Sequence, residues 1–144
     1  MMRATMDFPR LTQDLLVKAL SNLDIAAGHD EDGVLGAAFP NAVAQFYLDD
    51  NFLTVHTVWT QGVAPDHQDD VLEMINTVNR QIPTGKATPI VVEGLPTVDV
   101  REHFFAAHGV SEYQLCMMLD AYFQTVFMVF DEFEQRGFAQ NAQV

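Results

Sequence analysis

Cysteine, serine and basic residues are all scarce in this chain, and each scarcity removes a class of chemistry. Cys116 is the only cysteine, so neither an internal disulfide nor a multi-cysteine zinc site can form, which agrees with a reducing compartment. It sits in Leu115-Cys116-Met117-Met118-Leu119, an apolar run where a thiol packs rather than reacts. The only serines are Ser21, at the end of a helical pattern, and Ser111, placed to cap another; neither lies in a G-x-S-x-G elbow. No glycine-rich phosphate loop occurs, because the eight glycines fall mainly at turns. No apolar stretch reaches the roughly 18 residues needed to span a bilayer. Even Leu115 to Phe130 is broken by Asp120, Gln124 and Thr125. The first ten residues lack the cationic, apolar and small-residue order of a secretory signal, so the cytoplasm is the expected location.

Positive charge is equally sparse. Seven Lys and Arg stand against twenty Asp and Glu, for a net charge of −13 and a pI near 4.4. The seven are scattered along the chain, so binding to nucleic acid or to an anionic membrane, which needs clustered cations, is not expected. The acidity itself favours solubility.

What is present is one domain's worth of patterned hydrophobicity: 49% of the 144 residues are apolar. Leu11, Leu15, Leu16, Leu20 and Leu23 recur at helical spacing behind Thr12, a candidate N-cap. An extended segment over Ile25 to His29 leads to the turn Asp30-Glu31-Asp32-Gly33 and a return limb over Val34 to Phe39. Alternating segments over Val43 to Leu48 and Phe52 to Trp59 follow, separated by Asp49-Asp50-Asn51. A second helix begins near Asp66, with Leu72, Ile75, Val78 and Ile82 on one face, and stops at Pro83-Thr84-Gly85. Short Ile90 to Val92 and longer Val98 to Ala107 strands then lead to Ser111-Glu112-Tyr113-Gln114, a capping box. The helix it opens runs to Gly137 and is apolar around much of its circumference, so it should be the central element. The sum is an α+β fold of order α-β-β-β-α-β-β-α, with one antiparallel sheet of about five strands and helices packed on one face. Residues 1–10 read as an N-terminal extension, 11–138 as the domain and 139–144 as a tail.

Candidate functional residues fall into three groups. Tyr47, Phe52, His56, Val58 and Phe105 share the outer face of the sheet, which is more apolar than a solvated face requires, and form a candidate partner or dimer face. Met117, Tyr122 and Phe123 are candidates for a pocket between the sheet and the last helix. Asn76 and Asn79, three apart on the second helix, are a candidate polar motif, although a structural tie to the loop near Lys86 explains them as well. The five histidines give little support to a metal site. His103 and His108 point to opposite faces of a strand, and only His56 with His103 on neighbouring strands would make a pair. No catalytic residues, metal or cofactor are expected.

The opening helix with Leu11 and Leu20, the Asp30 to Gly36 turn region, Phe52 to Trp59, Val78-Asn79-Arg80 ahead of Lys86-Ala87, and Gly109-Val110-Ser111 together resemble the YbjN-like domain family. This bacterial family is described as sensory transduction regulators and is similar in fold to type III secretion chaperones. The resemblance covers Leu11 to Phe133 and implies the same element order, a small acidic protein that commonly dimerises, and no established catalytic residues. The expected function is a non-catalytic protein-binding module, chaperone-like or regulatory, that forms a homodimer. The alternative is a small-molecule sensor using the pocket beside the last helix.

Overall fold

Local chemistry sets the ends of most elements. The computed structural model describes residues 8–140. Thr12 caps α1 (Gln13–Asn22), its hydroxyl accepting from the Leu15 amide at 3.2 Å. β1 (Gly28–His29) and β2 (Leu35–Phe39) are joined by a turn in which Asp30 Oδ1 accepts from the Asp32 and Val34 amides, both at 2.9 Å. β3 (Ala42–Leu48) turns into β4 (Phe52–Trp59) through Asp49, whose carboxylate accepts from the amides of Asn51 and Phe52 at 2.7 Å each. A short 3-10 turn at Pro65–His67 precedes α2 (Gln68–Gln81). β5 (Lys86–Val92) and β6 (Leu95–Phe105) form a hairpin, and α3 (Glu112–Gln135) opens with the expected capping box between Ser111 and Gln114.

The strands form one antiparallel sheet in the order β1-β2-β3-β4-β6-β5. Six strands are present rather than five because the two residues of β1 pair with β2. α3, about 36 Å long at 1.5 Å per residue, covers one face of the sheet, and α1 packs against α3. Phe123 packs against Phe39 and Phe46, and Trp59 stacks on Phe130 and meets Phe133 edge-on. Tyr122 is fully buried. Its hydroxyl donates to the Val100 carbonyl at 2.7 Å and lies 2.8 Å from Thr57 Oγ1. Burial pushes this phenol well above its ordinary pKa, so it stays protonated as the bond to Val100 requires.

The second hairpin departs most from the sequence reading. β5 begins at Lys86 rather than Ile90 and runs straight through Pro89. A proline is tolerated because β5 is an edge strand, where the missing N–H deprives no neighbour of a bond. The turn is Glu93-Gly94, both at positive φ (50° and 79°), so β6 begins at Leu95 rather than Val98. α2 packs beside β5, and the Asn79 side chain donates to the Ala87 carbonyl and accepts from the Ala87 amide, each at 2.8 Å. That carboxamide occupies the place of one residue of a further strand and closes part of the edge.

Residues on either side of the 11–138 span also bond to it. Pro9, assigned to the N-terminal extension, accepts from the Val110 amide at 2.9 Å. Ala139 and Gln140, assigned to the tail, pair with the 62–64 segment: Val63 bridges Ala139, and the Gln140 amide donates to the Gly62 carbonyl. Residues 1–7 and 141–144 of those two segments lie outside the described residues.

Replacing Asn79 by Ala should leave both edge groups of Ala87 without their partner and cost about 1–3 kcal/mol. Chemical denaturation would measure the loss, and hydrogen exchange should quicken at the Ala87 amide. Unchanged exchange there would show that the carboxamide does not close the edge.

Candidate functional site on the helix-free sheet face

Alternation along β3, β4 and β6 sends one set of side chains to the helices and the other to an open face. Tyr47, Phe52 and Phe105 lie on that face with exposures of 44%, 39% and 59%. His56 and Val58 are half-buried on it. Phe52 and Phe105 are cross-strand partners whose rings meet edge-on, with centroids 5.5 Å apart. The five outer-face candidates therefore share one surface, and that surface carries no helix.

A cleft of about 540 Å³ opens on the same face, with Val43, Val58, Ile90, Val92 and Leu95 as its apolar walls. Gln45, His56 and Thr97 supply polar groups within it. Beside it the first half of β6 is buried on both faces: Thr97, Val98, Asp99 and Val100 are all inaccessible or nearly so. Asp99 therefore buries a carboxylate on the outer side of the sheet, where it must be paired. It contacts His56 Nε2 through Oδ2, accepts a short hydrogen bond from Thr88 Oγ1, and meets Arg101 Nη2 at 3.2 Å. Burial pushes the Asp99 pKa up, but the hydrogen bonds from His56 and Thr88 and the charges of His56 and Arg101 outweigh it. The net displacement is downward from the ordinary value of 3.8.

Asp99 was absent from the sequence-derived candidates. A signal was there, since aspartate is depleted in strand interiors and this one stands among Val98, Val100 and the alternating Arg101 and His103. Its partners could not be read, because Thr88 and His56 come from two other strands.

The remaining candidates are not brought together. Tyr122 and Phe123 are core residues while Met117 is 55% exposed, and none of the three lines a described cleft. The reason is helical geometry: five residues at about 100° each place Met117 roughly 140° around the helix from Tyr122. The space between sheet and helix is filled by the aromatic side chains themselves. Asn76 is exposed, whereas Asn79 is committed to Ala87. His56 is engaged by Asp99, and His103 Nδ1 lies 2.8 Å from Thr54 Oγ1. Among the described residues no group of three or more His, Cys, Asp or Glu side chains is arranged to hold a metal ion. Cys116 is half-buried, with its sulfur 3.6 Å from the Ala19 carbonyl.

A carboxylate held below its unfolded pKa contributes stability above about pH 4, and loses it as the pH falls through the folded value. Asp99→Asn should accordingly cost about 1–3 kcal/mol at neutral pH. The gap from the wild type should narrow below about pH 4, where the native carboxylate also becomes protonated. Urea unfolding across that range is the check. A gap that does not change with pH would mean that the ion pairs of Asp99 add nothing beyond its hydrogen bonds.

Comparison with known proteins agrees with this architecture. A search among curated proteins gave no match. By structure the chain is similar to the crystal structure of YbjN, "a putative transcription regulator from E. coli", with TM-score 0.74 and 19% identity over 88% of this chain and 93% of that one. It is also similar to an uncharacterized protein from Methanothermobacter thermautotrophicus, with TM-score 0.59 and 16% identity over 88% of this chain and 99% of that one. At such identities these likenesses show a shared fold. Residues 12–135 match the model of the YbjN family, described as "Putative bacterial sensory transduction regulator", and the chain belongs to that family.

Proposed function

We propose that this protein is a non-catalytic, chaperone-like or regulatory binding module that engages a partner protein through the helix-free face of its sheet. The observation that carries the reading is the exposure of Tyr47, Phe52 and Phe105 together on a face that carries no helix among the described residues. Aromatic side chains in a contiguous exposed group are the residues that most often anchor interfaces. The cleft beside them adds concave apolar surface next to the aromatic group. A second copy of the chain is the other occupant included in this proposal, and homodimerisation through the same face would bury the same rings. Absence of catalysis is part of the reading: the His56 and Asp99 pair has no nucleophile beside it, Thr88 being engaged with the Asp99 carboxylate. Among the described residues no helix is long and apolar enough to cross a membrane, and a cytoplasmic location belongs to the proposal.

The test changes Tyr47, Phe52 and Phe105 to Ser in one variant whose circular dichroism matches the wild type. Affinity capture and sedimentation should show proteins retained, or self-association, for the wild type and loss of both for the variant. Equal capture by the two would remove the face from consideration.

A further inference from the structure

We infer that the helix-free face selects acidic polypeptide: its middle sets Lys86 and Arg101 side by side on an otherwise strongly acidic molecule, fitted to an extended partner segment that alternates carboxylates with apolar side chains. This inference rests on the binding role proposed for that face and specifies the chemistry of its partner.

Strand register builds the row. Lys86 on β5 is paired with Arg101 on β6, Arg101 with His56 on β4, and His56 with Gln45 on β3. Directly paired residues on neighbouring strands project from the same face, so the four side chains cross it in a line. His103, two residues beyond Arg101, stands in the next row beside Thr54 and Tyr47. Two of the seven Lys and Arg residues of a chain with net charge −13 are thus placed side by side, with two histidines adjoining them.

These cations are available to a partner. Lys86 is exposed and takes part in no ion pair among the described residues. Arg101 gives one nitrogen to Asp99 while its side chain remains 48% exposed, leaving donors of its guanidinium for an incoming carboxylate. The only carboxylate within the face, Asp99, is wholly buried and already engaged. Glu93, at the hairpin tip, lines the far end of the cleft, and Asp49 with Asp50 lies in the turn after β3. Apolar surface flanks the row on both sides. Phe52, Phe105 and Tyr47 lie toward one end, and Val43, Val58, Ile90 and Val92 line the cleft toward the other. A nucleic acid is the poorer fit, because one short row of cations within a field of −13 neutralises few phosphates. An acidic, apolar-bearing polypeptide matches both the row and its flanks, and the charge on the rest of the molecule repels it from every other surface.

The experiment is fluorescence anisotropy on the full chain with three labelled probes. They are a twelve-residue peptide alternating Glu with Phe and Leu, the same peptide with Lys for Glu, and a single-stranded RNA of the same length. The acidic peptide should bind most tightly and weaken as salt rises. Lys86→Glu, which reverses the charge of the row that makes no contact with Asp99, should reduce its affinity about fivefold or more in a variant shown to be folded. Arg101→Gln should do the same in a variant shown to be folded. The inference is overturned if the acidic peptide does not bind, if the lysine peptide binds equally, if Lys86→Glu has no effect, or if RNA binds more tightly than the acidic peptide. The underlying reading fails separately. Binding that the Phe52 and Phe105 variant abolishes but salt and Lys86→Glu leave unchanged retains the face and removes only its charge preference, whereas binding insensitive to both sets of variants removes the face itself.

Discussion

The pairing of β4 with β6 is the contact on which this structure turns. It joins two segments more than forty residues apart in sequence, across α2 and a hairpin edge, and every row of the open face passes through it. On the inner side it sets Thr57 against Val100, so that one buried phenol, Tyr122, bonds to both strands at once and ties α3 to the sheet. On the outer side it sets Phe52 against Phe105, and it brings His56 beside Arg101 and within reach of Asp99. A slip of one residue would exchange the two faces, exposing the core row and burying His56, Arg101 and His103 against the aromatic side chains of α3. The register is accordingly set by hydrophobic burial on one side, and the polar arrangement on the other follows from it.

The cost of a buried carboxylate gives the outer face its particular character. Asp99 could not remain ionised and inaccessible without the groups that three strands direct at it. Those groups, Thr88, His56 and Arg101, are thereby held on the open face, and Arg101 keeps half of its side chain exposed. The cluster fixes the orientation of polar side chains on a surface that would otherwise be free to rearrange. Meanwhile the β5 edge is closed by other means: Asn79 occupies the hydrogen-bonding groups of Ala87, and Pro89 offers no N–H.

Much of this was legible in the sequence because the signals involved are local. Thr12, Asp30, Asp49 and Ser111 satisfy backbone groups within a few residues of themselves, so the starts of two helices and the positions of two turns could be read from residue type and spacing alone. The period-two alternation in β3, β4 and β6 likewise identified the outer face, with Tyr47, Phe52, His56, Val58 and Phe105 upon it, before any pairing was known. β5 starts at Lys86, where the sequence suggests a strand only over Ile90 to Val92, and its position at the edge of the sheet makes Pro89 harmless within it. The pocket residues Met117, Tyr122 and Phe123 were grouped by apolar character when their helical angles already separated them.

By itself, then, the sequence determined the approximate element order, the caps and the two-faced sheet, since each depends on neighbours within one or two turns of chain. The tertiary structure decided which distant residues meet. Lys86, Arg101 and His56 are scattered when read along the chain and become a row only when β5, β6 and β4 are hydrogen-bonded in one register. Asp99 is an ordinary acidic residue in a strand until two other strands enclose it. Local patterns cannot carry that information, because register is chosen by burying the whole inner face at once, and the outer face receives whatever alignment that choice imposes.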